Sequence, residues 1–308
     1  MDVEDLKKLY STKLGRLLQE LDQSRKARIS FIAKSGLILL GIGGLLLIVY
    51  ESLDMSWWYH FFSLLAIVAV FSFIYIRQKD KYVSEFKSKV MPSILQFINP
   101  ELYYHPYNCI SEDEFNVCGL FSSPDRYTGK DYVEGYVGET HIRFSLVYAE
   151  EEHERTTTDD DGGSHTDTYY TTIFCGIFFS ADFNKWFSGR TIVMQGAPGF
   201  FTRGHIKLED PRFNDKFTVY SSDQIEARYI LTPNFMERIS ALSDKAGISL
   251  SFVGSRIYVA IPTDYQMFEP PFLGSLRNAR LIYSYFYFLN LAIGIVEDLN
   301  LNTRIWSK

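Results

Sequence analysis

The chain has 308 residues, 31 basic and 37 acidic, for a formal net charge of −6. That balance leaves no basic footprint, so a nucleic-acid partner is not expected. Cys109, Cys118 and Cys175 form an odd set without a CxxC, which suits free thiols in a reducing compartment and argues against a disulfide framework or a zinc site.

In chain order, residues 1–28 read as a cytosolic amphipathic helix, with Leu6, Tyr10, Leu14, Leu17 and Leu21 on one face. Two apolar runs follow, Ile29–Tyr50 and Ser56–Ile76. Each has about the 20 residues that a helix needs to cross a ~30 Å hydrocarbon core. Residues 29–76 are therefore expected to form a transmembrane helical hairpin with the lipid bilayer as its first partner. The linker is too short for anything but antiparallel neighbours and carries only Glu51 and Asp54, whereas both outer flanks are basic. They include Arg16, Arg25, Lys26 and Arg28 before the first run and Arg77, Lys79, Lys81, Lys87 and Lys89 after the second. Positive charge stays on the cytoplasmic side, so both termini are expected there. Trp57, Trp58, Tyr59 and Tyr50 stand where an outer aromatic belt belongs. Lys34, the lone formal charge in the spans, lies a turn inside the inner boundary and can snorkel to it. Ala33, Gly36, Leu40 and Gly43 share a helical face, as do Ser63, Ala66 and Val70, which predicts close packing within the hairpin. A cleaved signal peptide fits poorly, because the first run starts late and a second follows at once.

Residues 77–100 read as a helical connector with Val83, Phe86 and Val90 at core spacing, and Pro92 is expected to kink or restart it. Residues 101–308 read as a cytosolic, mainly antiparallel β domain with packed helices, giving an α+β protein overall. Strands are predicted over 132–138, 141–149, 169–180, 191–195 and 217–220. A further pair, 248–253 and 256–261, flanks Gly254-Ser255, which reads as a two-residue hairpin turn. Thr232 can cap a helix with Pro233 at its first position, Phe235, Ile239 and Leu242 on one face, and Gly247 at its end. The apolar stretch 281–296 is about 24 Å long as a helix, short of a span, and reads as a core helix against the sheet.

The most conspicuous polar segment is 150–165, with Glu150, Glu151, Glu152, Asp159, Asp160 and Asp161 and two histidines. It lacks the ligand spacing of an EF-hand and reads as a long solvated hairpin loop that could contact a partner. Glu226 and Arg228 lie in Asp223-Gln-Ile-Glu-Ala-Arg228, where a structural ion pair outweighs acid/base catalysis and a role in partner binding is possible. Gly196-Ala-Pro-Gly199 with Phe200 and Phe201 reads as a connection that could also grip a ligand. No HExxH, GxSxG, P-loop or GxGxxG opening a helix occurs, so no catalytic residue, metal or cofactor is assigned.

The segment from Leu208 to Arg238 contains Phe-Thr-Val-Tyr-Ser221, then Asp223-Gln-Ile-Glu-Ala-Arg-Tyr229, then Leu231-Thr-Pro233. This run resembles the signature of the DUF3137 family of bacterial proteins, and a looser similarity extends over the rest of the domain and the paired apolar helices. The resemblance implies an uncharacterised membrane protein of the bacterial inner membrane with no established activity, so it transfers no catalytic residue. The reading that follows is a membrane-anchored binding or scaffold protein with a protein partner or a second copy of itself. A membrane-bound hydrolase that uses metal or paired carboxylates, and an oligomeric transporter or channel subunit, are the competing classes.

Overall fold

The structure is a computed structural model that describes residues 14–158, 164–196, 204–276 and 279–302. The chain divides into two compact units: Met1–Phe97 with Glu269–Phe286, and Ile98–Phe268 with Tyr287–Lys308. Residues 269–286, read from sequence as part of the C-terminal domain, thus group with the hairpin.

The first unit is built on α1 (Gly15–Ser52) and α2 (Trp57–Ile98). Both are long and apolar enough to cross a membrane. Leu37, Ile38, Leu40, Leu45, Leu47 and Ile48 of α1, and Phe61, Phe62, Leu64 and Leu65 of α2, are exposed. An apolar surface of that extent is not tolerated against water. The amphipathic helix and the connector are not separate elements, because α1 and α2 run without a break through both boundaries. A change from charged to apolar composition alters the solvent a helix requires, not its hydrogen bonding.

One inward row of α1 is Leu18, Asp22, Arg25, Ile29, Ile32, Gly36, Leu39, Gly43, Leu46 and Tyr50, with Leu21 also buried beside it. The row alternates in steps of four and three, the 3.5-residue repeat of a coiled-coil seam. Gly36 and Gly43 open that seam: a Cβ on either would come within 3.2 Å of Phe71 or Ile67 of α2. Both faces differ from the expected ones: on α1, Gly36 and Gly43 face inward but Ala33 and Leu40 are exposed. Ser63, Ile67 and Ile74 turn inward, while Ala66 and Val70 are exposed, because bulky side chains fill the space that the glycines leave. Pro92 does not restart α2. Val90, Met91, Ile94 and Leu95 are buried on both sides of it, and the helix continues through the proline.

Outside the apolar spans the seam becomes polar. Arg25 and Asp22 are 6% and 3% exposed and pair at 2.9 Å, with Lys26 on the other Asp22 oxygen at 3.1 Å. Arg25 is thus a buried structural residue, not a free charge of the basic flank. Glu85 accepts from Arg28 at 3.1 Å, Lys89 at 2.9 Å and Ser24 at 3.1 Å. For both carboxyls, burial raises the pKa, but the hydrogen bonds outweigh it and leave each below its ordinary value. A lowered folded-state pKa stabilises the fold above the unfolded pKa, and that stability is lost as pH falls through the folded value. The melting temperature of the full chain in lipid nanodiscs should therefore hold from neutral pH to about pH 5 and fall below about pH 4. Asp22→Asn combined with Glu85→Gln should flatten that decline.

The second unit is a seven-stranded antiparallel sheet made of β1 (Leu102–His105), β2 (Arg126–Val137), β3 (Thr140–Thr158), β4 (Ser164–Gln195), β5 (His205–Ile206), β6 (Phe217–Ser221) and β7 (Ser249–Pro262). β4 organises it. One of its edges pairs with β3 and then β6, and the other pairs with β7. The two predicted runs 169–180 and 191–195 are parts of this single strand. Its irregular stretch between Asp182 and Arg190 stays in the sheet because β7 pairs on both sides of it. Nor is there a turn at Gly254-Ser255. Gly254 takes a φ of +60° and faces Phe187, so its left-handed backbone makes a bulge within β7 where the sequence suggests a reversal.

Four short helices join the strands: α3 (Glu112–Cys118), α4 (Pro211–Lys216), α5 (Gln224–Ile230) and α6 (Pro233–Lys245). Ser111 caps α3 and Gly119 ends it in the left-handed conformation. Phe115 of α3 packs with Phe174 and Phe178 of β4 and Tyr258 of β7 in the core. Thr232 caps α6, with Pro233 at its start and Ile239 and Leu242 buried as expected. The last helix, α7 (Ala279–Asp298), gives its first turns to the first unit and the remainder to the second. Ile282, Tyr285 and Phe286 are buried in one part and Leu289, Ala292, Ile295 and Val296 in the other, as suits a core helix.

Candidate partner-binding site

The described residues of the acidic segment are strand, not loop. β3 and β4 remain paired from Glu150↔Thr172 out to Thr158↔Ser164. β2 ends its pairing with β3 at Arg126↔Glu150, and β7 ends its pairing with β4 at Gly176↔Pro262. Residues 151–158 and 164–171 thus form a two-stranded ribbon of eight rungs, about 26 Å long at ~3.3 Å per residue. Among the described residues, no further strand lies along either outer edge of this arm.

Cross-strand pairs hold the arm together. The Tyr170 hydroxyl donates to Glu152 at 2.6 Å, and the Arg126 guanidinium lies 3.5 Å over the Tyr170 ring. The bond to Glu152 raises the Tyr170 pKa. His153 stacks on Tyr169 at 5.2 Å and bonds Thr171 at 2.7 Å, and the Thr156 and Thr166 hydroxyls meet at 3.2 Å. Glu150 takes a bond from Tyr148 at 2.8 Å. Glu151 lies 3.9 Å from His153. From residue 150 to 172 the described ribbon carries Glu150, Glu151, Glu152, Glu154 and Asp167 against one arginine, Arg155. Asp159, Asp160 and Asp161 lie outside the described residues, as does the connection from Ala197 to Phe201.

Glu226 and Arg228 do not pair with each other. Glu226 accepts from the Ser188 and Gly189 backbone N–H groups at 3.0 and 2.9 Å and so caps the irregular turn of β4. Arg228 donates to Glu209 at 3.1 Å and to the Lys207 carbonyl at 3.3 Å. Their placement comes from Asp223, which caps α5 through the Ile225 and Glu226 N–H groups. Beside Glu226, Lys185 lies 3.6 Å over the Tyr229 ring, with its pKa lowered by burial. Trp186, Ile225 and Tyr229 are exposed here. The sequence reading missed this apolar patch because Trp186 sits in a strand irregularity that no periodic pattern marks.

Glu114 and Ser180 are engaged in the fold. Glu114 accepts from Arg143 at 2.8 Å and Ser180 at 2.9 Å, and Ser180 accepts from Arg256 at 2.9 Å. Burial pushes the Cys118 thiol up to about 12 and also raises Cys109 and Cys175, which leaves little thiolate at neutral pH. Among the described residues, no three His, Cys, Asp or Glu side chains gather as a metal would require.

Residues 172–301 match the DUF3137 family. That family is described as a protein of unknown function. The DUF3137 segment begins at Thr172, the base of the arm, and takes in the β4 turn, α5 and the Glu226 cap. The acidic strand of the arm lies outside it. No curated protein matches the chain. The crystal structure of the mycobacterial trehalose monomycolate transport factor A is similar at 10% identity and a TM-score of 0.38, over 70% of this chain and 96% of that one.

Proposed function

We propose that the protein is a membrane-anchored binding or scaffold protein whose acidic β-arm takes up an extended, basic protein segment. The hairpin spans the inner membrane of a bacterium with both termini cytoplasmic. Support for this topology comes from the basic outer flanks, the acidic linker and the aromatic residues around the linker.

The observation that carries the binding role is the ribbon of eight rungs, along whose outer edges no further strand pairs among the described residues, although the Asp125 carboxylate caps the Glu152 N–H at its base. A two-stranded ribbon alone is marginal in water. Open edges also invite strand pairing, which proteins normally suppress by covering or charging them. Here the edges carry mostly negative charge. Such charge repels a second acidic arm and favours a basic strand added alongside.

Shortening the arm tests this. Replacing residues 151–171 by Asn-Gly keeps the Glu150↔Thr172 register and supplies a tight turn. The full chain in nanodiscs should bind an alternating Lys-Val peptide, and more weakly as salt rises. The shortened variant should lose at least about tenfold in affinity, 1.4 kcal/mol or more. Equal affinity of the two proteins, or equal binding of an alternating Glu-Val peptide, would contradict the proposal.

A further inference from the structure

The segment Glu269–Leu276 is held against the helical hairpin within the first unit. The Phe272 ring lies between Tyr75 and Tyr82 of α2, at 5.7 and 5.6 Å. Its carbonyl accepts from Arg25 of α1 at 3.2 Å. Tyr285 of α7 donates to the Glu269 carbonyl at 2.8 Å. Phe272 and Leu276 are buried, but Leu273 between them is 76% exposed.

Tyr75 is the next-to-last residue of the second apolar run, and Tyr82 lies less than two turns beyond its end. Phe272 touches both, so its level is midway between them, near residue 78 or 79 of α2. At 1.5 Å per residue that is about 4 Å past Ile76. The interfacial layer on each side of a bilayer is about 5–8 Å deep. Phe272 and Leu273 therefore stand inside that layer, where an apolar side chain at the headgroup and acyl boundary is stabilised.

We infer that Glu269–Leu276 is a strap in the inner headgroup layer that presses Leu273 against lipid, a membrane contact additional to the two spans. The inference rests on the reading of α1 and α2 as transmembrane. It gives the buried Arg25 and Asp22 a purpose: they hold the strap carbonyl at a fixed height on the hairpin. Leu273 is exposed next to Phe272, whose ring contacts Tyr75 and Tyr82 fix the level of the strap beside the end of the apolar run, so lipid is the occupant that this level selects.

The test uses the full chain in nanodiscs of mixed neutral and anionic lipid, with Leu273→p-benzoylphenylalanine as a photoreactive probe. Leu64→p-benzoylphenylalanine reports the span itself, and Gln96→p-benzoylphenylalanine reports an exposed site of α2 about 30 Å past Ile76. Adducts are read by mass spectrometry. Lipid adducts at position 273 that match those at 64 and exceed those at 96 severalfold are the expected result. Lipid adducts at 64 without any at 273, or protein adducts at 273, would overturn the strap while leaving the spans intact. Absence of lipid adducts at 64 would overturn the transmembrane reading and the strap with it. Ser275→p-benzoylphenylalanine, at a second exposed strap position, covers a failure of the first variant to fold.

Discussion

Replacing Phe178 with alanine is expected to destabilise the sheet unit by about 4 kcal/mol. Phe178 is fully buried in β4, opposite Ser145 of β3 and Ala260 of β7. Its ring centroid lies 5.1 Å from Phe115 and 5.8 Å from Tyr258. The truncation removes the ring that joins α3 to the centre of the sheet. Packed strands on both sides keep the backbone from collapsing into the space, so the cavity term adds to the transfer term. Amide hydrogen exchange of residues 176–181 in the full chain measures the loss directly. Tyr136→Ala, at an exposed site on β2, should change the same amides by no more than about 0.5 kcal/mol. A Phe178→Ala effect of that same small size would show that the aromatic cluster is not the core of this unit.

Asp22→Ala is expected to cost the hairpin about 3 kcal/mol, the lower end for breaking a buried pair. The loss leaves the Arg25 guanidinium buried with the Phe272 carbonyl as its remaining acceptor among the described residues. That remaining acceptor keeps the cost from rising further. The double variant Asp22→Leu with Arg25→Met removes both charges and supplies apolar volume to the seam. It should recover most of the stability, since a buried ion pair contributes little beyond a packed apolar one. Thermal unfolding of the wild type, Asp22→Leu, Arg25→Met and the double variant in nanodiscs gives the coupling energy. A double variant no more stable than Asp22→Ala would mean that the pair acts through the strap carbonyl and not through its own charges.

The hairpin was legible in the sequence because length, apolar content and flanking charge all bear on one question, the solvent. The register of the seam was not. Residues 18–50 follow one 3.5-residue repeat through charged and apolar stretches alike, and the change in composition hides that continuity. Arg25 and Asp22 stood among basic residues that looked like a topology signal, so their burial against each other could not be read from charge alone. In the sheet, the caps at Asp223 and Thr232 were readable because each needs only local hydrogen bonds. β4 and β7 were divided in the sequence reading because glycines and polar residues interrupt their alternation, whereas cross-strand pairing carries the real strands through those interruptions. The arm was misread as a loop for the same reason. Its glutamates and threonines bury no apolar face, and their strand conformation comes from pairing across the ribbon. Tyr169-Tyr-Thr-Thr172 was the β-prone signal that extended furthest into it. Trp186 stands in the irregular stretch of β4 and Ile225 and Tyr229 on α5, elements that Glu226 and Lys185 join, and only the fold supplies that pairing.

Hydrogen exchange along the arm tests the central claim most directly, because strand addition must protect backbone amides there. With the alternating Lys-Val peptide bound to the full chain in nanodiscs, outward-facing amides of residues 153–158 or 164–173 should slow, while the core amides of 176–181 stay unchanged. Binding that leaves every arm amide exchanging at its free rate would contradict the account and move the recognition surface elsewhere on the molecule.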